Sequence, residues 1–415
     1  MPEAWIIDAV RTPRGVGKVG KGALADIHPQ RLGSTVLAAI RDRNNLNTAE
    51  VDDIIFGTSM QVGTQGGDLA RMSALDAGYD TKASGVTLDR FCGSGITGVN
   101  FAAASIMSGM ENVVIAGGAE MMSLHPALGE AQMGVRGPLM DAGNAHLRAL
   151  HPQTHQGVAA DAIATIEKIS RTALDELAVE SQKRAAVAIA EGRFDRSLVS
   201  VLKDDGSLAL DREEFPRPGT TLEGLAKLAP SFAAMADMPL DAEGTTLRSL
   251  VLARYPGLNI EHVHHAGNSS GVVDGAAAIL LANPDYAKSQ GWKPRARVVA
   301  MANMGDDPTL MLNAPVPAAR KVLAKAGLTL DDIDLFEVNE AFAVVAEKFI
   351  RDTGVDRAKV NVNGGAMALG HPIGATGALL IGTIVDELER RGGRYGLVTM
   401  CAAGGMAPAI IIERL

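Results

Sequence analysis

The chain has 415 residues, of which 47% are hydrophobic, so its length predicts more than one domain or a duplicated one. Its formal net charge is −9 and only 4% of its residues are aromatic, which argues against a nucleic-acid partner because such partners select basic patches and stacking rings. Its two cysteines, Cys92 and Cys401, are too few for a secreted disulfide framework.

Strand and helix patterns alternate through the first 120 residues, which predicts an α/β fold. Buried strands are predicted over 4–10, 52–60, 85–91 and 112–122, and helices over 30–43 and 96–109. No segment is long enough to be a transmembrane helix. Because a strand begins at residue 4, we expect no signal or transit peptide and a cytoplasmic protein.

From about 123 to 265 the alternation fades, and proline, histidine, methionine and charged residues increase. A helix is predicted over 169–194, with Ser170 as its N-cap. We interpret the rest as a long surface excursion, a kind of insertion that often builds the substrate site of an α/β protein. After 267–283 the alternation of strand and helix returns.

The two ends of the chain resemble each other weakly. VDDIIFGTSM is similar to LDDIDLFEVNE, and VTLDRFCGSG is similar to GLVTMCAAGG. We therefore expect two similar α/β halves, which direct the turns at Cys92 and Cys401 toward a shared centre.

The stretch FCGSGITG has two interpretations. Gly93, Gly95 and Gly98 form the G-x-G-x-x-G pattern of dinucleotide-binding loops, with Glu120 at a suitable offset for the acidic residue. Alternatively, Cys92 lies at a helix N-terminus, where free N–H groups and the helix dipole would lower the pKa of its thiol and make it a nucleophile. We favour the nucleophile because it explains the cysteine as well as the glycines.

A cysteine nucleophile needs a base, and His371 is the candidate. It lies in the glycine-rich run NGGAMALGHPIGATG, where the following proline keeps it out of a helix interior. Cys401 lies in a similar turn, CAAGG, while Asn339 and Glu340 lie in EVNEAF at the end of a predicted strand.

Three histidines close together, His262, His264 and His265, raise the alternative of a zinc site. On a strand His262 and His264 would share a face and His265 would point away, and no cysteine or carboxylate partner is near in sequence. We therefore predict no metal site.

At these residues the chain resembles the thiolase family. The matching stretches follow the family order over essentially the whole chain: FCGSGITGV, VIAGGAEMMS, AGNSSGVVDGAAA, EVNEAFA, VNVNGGAMALGHPIGATG and CAAGGM. The resemblance implies a duplicated α/β fold, in which two similar halves have five-stranded mixed sheets between helices. It assigns 1–121 with 272–293 to the N-terminal half, 122–271 to an inserted loop domain for CoA and substrate, and 294–415 to the C-terminal half.

The resemblance also implies reversible acyl transfer, in which 3-ketoacyl-CoA and CoA give acetyl-CoA and a shortened acyl-CoA by a ping-pong route. Cys92 would be the acylated nucleophile, His371 would take its proton, and Cys401 would move a proton on and off the α-carbon of acetyl-CoA. Asn339 would hold a water in one oxyanion hole. The backbone N–H groups of Cys92 and Ala403 would form the second.

Further residues are assigned to substrate by the same resemblance. Ser270 would contact the pantetheine, Arg217 would lie near the adenine, and Phe342 would line the acyl pocket. Gln156 and Met311 lie in stretches that differ from common family members where acyl chain or pantetheine is expected, so the acyl group stays open. CoA and acyl-CoA are expected as substrates, without a permanently bound cofactor.

Two alternatives remain beside a degradative thiolase: a biosynthetic acetoacetyl-CoA thiolase, and a non-catalytic thiolase-like carrier of acyl-CoA or lipid. A ketosynthase is disfavoured because that class pairs its cysteine with two histidines, whereas Cys401 occupies the second position here. The resemblance further implies a homodimer or homotetramer and allows association with other β-oxidation enzymes.

Overall fold

Strands and helices alternate through most of the chain. The computed structural model describes residues 2–137 and 139–415, without the side chains of 131–136. The strands are β1 (Trp5–Arg11), β2 (Gly15–Val16), β3 (Asp53–Gly57), β4 (Val86–Leu88), β5 (Val113–Met121), β6 (Val201–Leu202), β7 (Leu208–Leu210), β8 (Val273–Ala282), β9 (Ala296–Gly305), β10 (Leu335–Val338), β11 (Tyr395–Thr399) and β12 (Met406–Arg414).

The α-helices surround and separate these strands. They are α1 (Pro29–Asn44), α2 (Leu69–Asp76), α3 (Ser94–Ser108), α4 (His125–Arg136), α5 (Ala145–Leu150), α6 (Gln156–Ile166), α7 (Arg171–Ala190), α8 (Leu222–Ala226), α9 (Ala233–Ala236), α10 (Leu247–Arg254), α11 (Pro284–Ser289), α12 (Pro315–Ala326), α13 (Ala343–Thr353), α14 (Ala366–Leu369) and α15 (Ile373–Arg391). Within the described ranges, none of these helices has the length and apolar character needed to cross a bilayer.

The large sheet repeats one pairing pattern twice. In the first half β8 runs antiparallel to β1 and β5, and β5 runs parallel to β3. In the second half β12 runs antiparallel to β9 and β11, and β11 runs parallel to β10. Outside β3 lies the parallel strand β4, and outside β10 a single parallel bridge joins Phe336 to Val360. The prediction of two similar α/β halves with mixed sheets is confirmed.

The two halves of the sheet are joined by a short contact. Trp5 and Ile6 of β1 pair with Arg297 and Ala296 of β9, which gives the strand order β10-β11-β12-β9-β1-β8-β5-β3-β4. Each half therefore has its own paired core strands, and the continuity between them rests on two residue pairs.

The two cysteine turns do not occupy equivalent positions in the two halves, although their sequences are similar. Cys92 follows the outer strand β4 and precedes α3, whereas Cys401 follows β11, whose counterpart in the first half is β5. The counterpart of the entrance to α3 is the entrance to α15, where His371 lies. The similarity of VTLDRFCGSG and GLVTMCAAGG reflects the residue types that commonly occur where a strand ends in a turn.

Helices α3 and α15 pack against each other with their backbones in contact. A Cβ on Gly95 would lie 2.8 Å from the backbone nitrogen of Gly377, and one on Gly377 would lie 2.0 Å from that of Ile96. Only glycine permits such an approach. A Cβ on Gly98 would lie 3.1 Å from the carbonyl oxygen of Ile55 on β3. The G-x-G-x-x-G pattern therefore serves helix packing, and the dinucleotide interpretation loses its basis.

Strand β8 shows how the core is divided. Its residues alternate between an inner cluster, which contains the apolar side chains of α3 and α15, and an outer cluster, which contains those of α1. Ala277, Ile279 and Leu281 face inward, whereas Ala278 and Leu280 face outward. This is the period-two pattern of a strand buried on both faces, and it explains why β8 is apolar throughout.

The segment 122–271 carries α4 to α10 and the small β6–β7 hairpin. Its long helix α7 begins where the sequence predicts, since the Ser170 side chain accepts a hydrogen bond from the backbone N–H of Ala173. The segment also forms ion pairs with the first half. Glu213 is buried between Arg11 and Arg14, at 2.6 and 2.8 Å, and this pairing anchors the chain just before Arg217.

The three neighbouring histidines bind carboxylates. Nδ1 atoms of His262 and His264 lie 2.6 and 2.8 Å from the carboxylate of Asp161 on α6, and His265 Nε2 lies 2.9 Å from that of Asp175 on α7. These partners are distant in sequence, which is why the sequence did not reveal them. No group of three metal-ligating side chains occurs in the described part of the chain.

Candidate active site

Cys92 lies in a strained turn at the entrance to α3. The preceding Phe91 has φ of 50°, a left-handed conformation that bulky residues rarely adopt. The Ser94 hydroxyl stabilises this turn, because it donates to the Phe91 carbonyl at 2.7 Å and accepts from the Arg90 N–H at 2.8 Å. The cysteine is thus held in one position by its neighbours on both sides.

The predicted lowering of the Cys92 pKa is wrong. Burial raises the pKa of this thiol to about 12, and the negative charges of Glu120 and Asp89 act in the same direction. Removal of the thiol from water outweighs the favourable effect of the backbone N–H. Cys92 is therefore a neutral thiol at pH 7, and it needs a base to become a nucleophile.

His371 has the tautomer that such a base requires. Its Nδ1 lies 2.6 Å from the Thr376 hydroxyl, and that hydroxyl donates its only proton to the carbonyl of Pro372 at 2.9 Å. Thr376 must therefore accept from Nδ1–H, which leaves the lone pair on Nε2. Burial also lowers the pKa of His371 to about 4, so the ring is neutral at pH 7 and can accept a proton.

Asn339 and Cys401 follow two adjacent parallel strands, β10 and β11, whose carboxyl ends meet at one edge. The Asn339 Nδ2 lies 3.4 Å from Nε2 of His371, and its Oδ1 is buried without a hydrogen-bond partner in the described structure. Burial and the nearby Cys92 raise the pKa of the Cys401 thiol. The structure thus brings Cys92, His371, Asn339 and Cys401 together.

Glu120 is a buried carboxylate close to these groups. Its two oxygens lie within hydrogen-bond distance of donors from five residues, namely the hydroxyl of Thr58, the N–H groups of Ser59 and Gly374, the amide of Gln65 and the ring of His125. Burial favours its neutral form, but the contact with His125 and these hydrogen bonds hold the pKa of Glu120 below its usual value. These donors, which include the N–H of Gly374 at the entrance to α15, all belong to the protein itself, so the dinucleotide interpretation gains no support from Glu120.

The CAAGG turn places a free backbone N–H beside Cys92. Gly404 and Gly405 take left-handed conformations, with φ of 77° and 76°, whereas Ala403 is not among the described residues with positive φ. Ala403 lines the same cavity as Cys92, and its N–H has no partner in the described structure. An alanine therefore fits this position without backbone strain.

We expect the Ala403→Gly variant to retain the activity of the wild type within about threefold, because only the backbone N–H of this residue is available to an oxyanion. Steady-state thiolysis of one 3-ketoacyl-CoA by both proteins tests this. A gain of tenfold or more would show that the Ala403 side chain obstructs the oxyanion hole.

Two cavities meet at Cys92. The first has a volume of about 410 Å³ and is mainly apolar; its lining includes Met60, Phe91, His125, Met140, Met235, Met311 and Ala403. The second has a volume of about 480 Å³; its lining includes Lys18, Phe215, Arg217, Ser269, Ser270, Phe342 and His371. Cys92, His155, Gln156 and Ile373 line both. A thiol at this junction can exchange a group between ligands that occupy the two sides.

The chain matches two family models in sequence order. "Thiolase, N-terminal domain" matches residues 4–237, and "Thiolase, C-terminal domain" matches residues 292–414. The chain belongs to the thiolase family. The prediction of this family, and of an acyltransferase that uses CoA thioesters, is confirmed.

Several curated relatives of this thiolase align over its whole length. A steroid 3-ketoacyl-CoA thiolase of Mycobacterium tuberculosis is 41% identical, over 100% of this chain and 95% of the relative. A beta-ketoadipyl-CoA thiolase of Acinetobacter baylyi is 38% identical over 100% of both chains. An acetyl-CoA acetyltransferase of Syntrophomonas wolfei is 37% identical, over 100% of this chain and 99% of the relative.

Most of the predicted substrate residues of this thiolase line one of the two cavities. Ser270 and Arg217 line the second, Met311 lines the first, and Gln156 lines both. Phe342 lines the second cavity, together with Ser270. It packs edge-to-face on Phe232 and His264, which fixes it on the side of Ser270.

Sequence reasoning missed several residues that the thiolase structure places at the cavities, among them His125, Lys18 and Ser269. His125 lines the first cavity, whereas Lys18 and Ser269 line the second. The buried hydroxyl of Ser269 has no hydrogen-bond partner in the described structure. The position of Ser269 beside Ser270 in GNSSG was a signal in the sequence that could have identified it. Lys18 and His125 lie in segments distant from the other site residues, so nothing in the sequence indicated their place.

Proposed function

We propose that this thiolase cleaves 3-ketoacyl-CoA with CoA, giving acetyl-CoA and an acyl-CoA shortened by two carbons. The observation that carries the proposal is the position of Cys92, a buried thiol at the junction of two cavities and in a site that also holds the neutral base His371. A thioester on Cys92 can leave its acyl group in one cavity while CoA exchanges in the other.

In the first step Nε2 of His371 takes the Cys92 proton, and the thiolate attacks C3 of the substrate. The backbone N–H groups of Cys92 and Ala403 bind the oxygen of the tetrahedral intermediate. The C2–C3 bond then breaks and leaves the enolate of acetyl-CoA, whose oxygen is bound by His371 Nε2–H and a water held by Asn339. Cys401 donates its proton to C2, and acetyl-CoA leaves.

In the second step CoA enters and its thiol attacks the acyl-Cys92 thioester. The Cys401 thiolate takes the proton of the CoA thiol, and His371 returns its proton to the departing Cys92 sulfur. The free enzyme is then regenerated with both thiols and a neutral imidazole. The raised pKa values of Cys92 and Cys401 fit this cycle, because both groups are protonated at its start and its end.

The second cavity has the groups that CoA requires. Lys18 and the exposed Arg217 supply positive charge for its phosphates, and the unpartnered Ser269 hydroxyl can pair with a pantetheine amide. Phe215 and Phe342 supply apolar contacts. We assign CoA binding to the inserted segment 122–271 together with the Lys18 loop.

The first cavity favours an acyl group larger than that of acetoacetyl-CoA. Its volume of about 410 Å³ is within the range of sites for drug-sized ligands, and its four methionines, Met60, Met140, Met235 and Met311, can pack around varied shapes. The name of the Mycobacterium tuberculosis relative is that of a thiolase for a bulky ring-derived substrate. These features favour a degradative thiolase over one restricted to acetoacetyl-CoA.

The proposal includes a cytoplasmic homodimer or homotetramer. The exposed apolar side chains of Val86 on β4 and Phe101 on α3 support association, because β4 ends the sheet within the described residues. Association with other β-oxidation enzymes stays a prediction.

The test is thiolysis with CoA across linear 3-ketoacyl-CoA substrates from C4 to C16, followed by the loss of the Mg²⁺-enolate absorbance. We expect the largest kcat/KM at chains longer than C4. Activity confined to C4 would support the acetoacetyl-CoA alternative, and no activity on any substrate would support a carrier.

A further inference from the structure

Several polar side chains of the first cavity have no part in the cycle described above, and His125 is the one that contacts the buried Glu120. The ring of His125, at the start of α4, lines this cavity together with Cys92. Its Nε2 lies 2.9 Å from Oε1 of the buried Glu120. The pKa of Glu120 is below the usual range, so its side chain is an ionised carboxylate that can only accept a hydrogen bond. The Nε2 of His125 therefore carries a proton and donates it to Glu120.

The other ring nitrogen is available to a ligand. Nδ1 of His125 has no hydrogen-bond partner in the described structure, although the ring is largely buried. The remaining described lining of the cavity is apolar over most of its area, and its other polar side chains are those of Ser59, Gln153, Thr154, His155 and Gln156. An apolar acyl group alone would fill this space and leave Nδ1 unpaired away from water, which costs free energy.

We propose that His125 determines substrate specificity, and that Nδ1 binds a hydroxyl group on a bulky, otherwise apolar acyl group. This inference rests on the proposed function. A hydroxyl can donate to the lone pair of a neutral ring and can accept from a protonated one, so it pairs with Nδ1 in either state.

The charges around His125 disfavour a carboxylate as the ligand. Glu120 is a buried anion in direct contact with the ring. Asp274 on β8 is a second carboxyl group near His125, and burial raises the pKa of Asp274 to about 6, so it is largely ionised at pH 7. A terminal carboxylate on the acyl group would therefore meet two like charges. A neutral oxygen avoids this repulsion.

The experiment compares 3-oxo-3-cyclohexylpropanoyl-CoA with the analogues that carry a hydroxyl at ring carbon 3 or 4. We expect the wild type to have a kcat/KM about tenfold higher for one hydroxylated substrate than for the unsubstituted one, because the unsubstituted ring leaves Nδ1 unpaired. 3-Oxoadipyl-CoA, which ends in a carboxylate, should be the poorest substrate of this set.

Two variants separate the ligand contact from the contact with Glu120. His125→Gln keeps a side-chain N–H toward Glu120 but lacks an atom at the Nδ1 position, and His125→Leu loses both. In His125→Gln the ratio of kcat/KM for hydroxylated and unsubstituted substrates should fall about tenfold, to near one. An equal loss on both substrates would indicate a structural role and overturn the proposal.

The wild-type measurement tests the proposal even where a variant fails to fold. A wild-type ratio near or below one, a preference for 3-oxoadipyl-CoA, or cleavage of linear but not ring substrates would each overturn it and leave the thiolase activity intact. An absence of thiolysis on every substrate, linear ones included, would instead overturn the proposed function and the inference with it.

Discussion

The Cys92→Ser variant should form no acyl-enzyme and should lose more than about 10⁴-fold in thiolysis, because a serine hydroxyl is a far weaker nucleophile and leaving group than a thiol. Incubation with [¹⁴C]acetyl-CoA, gel filtration and counting of the protein peak measure the acyl-enzyme directly. The strained turn at Phe91 is stabilised by Ser94 and does not depend on the sulfur, so the variant should fold.

The matched control is Cys401→Ser, which replaces the second thiol of the same site. If Cys92→Ser still trapped one labelled acetyl group per chain, Cys92 would not be the acylated residue, and the roles of the two cysteines would have to be exchanged.

The Cys401→Ser variant should retain acylation and lose carbon–carbon chemistry. A hydroxyl cannot reversibly take the α-proton of acetyl-CoA near neutral pH as a thiol can, so condensation of two acetyl-CoA molecules should fall by about 10² to 10⁴-fold. Labelling of Cys92 by [¹⁴C]acetyl-CoA should persist but form more slowly, because His371 remains in place as its base whereas the leaving CoA sulfur no longer receives a proton from Cys401. The two assays on one preparation separate the two half-reactions.

Deuterium exchange at the α-carbon of acetyl-CoA, followed by NMR in D₂O, is the sharper measurement for this residue. Exchange in Cys401→Ser at the rate of the wild type would move the acid–base role to another group.

The sequence predicted the main features of this fold for physical reasons. Glycine-rich turns, buried strands and a proline after His371 are local features, and local sequence determines them. The four predicted catalytic side chains converge because they lie at strand ends and helix entrances, which the pairing of the strands brings to one edge.

What the sequence could not show depends on contacts between distant segments. The pKa of Cys92 depends on how completely the surrounding segments exclude water from its thiol. The position at a helix N-terminus, considered alone, predicted a lowered pKa, whereas burial raises it. The partners of His262, His264 and His265 are Asp161 and Asp175, about a hundred residues away. The position of Phe342 depends on its aromatic neighbours Phe232 and His264, which come from other parts of the chain.

The two halves of the sheet have consequences for how the site could arise. The entrance to α3 carries Cys92 and the corresponding entrance to α15 carries His371, so nucleophile and base occupy matching places in the two copies. Two identical copies would place either two nucleophiles or two bases at these entrances. The reaction needs one thiol that becomes acylated and one base that removes its proton, so neither pair would suffice. The chemistry therefore depends on broken symmetry: the fold is repeated, and the activity lies in the residues at which the repeats differ.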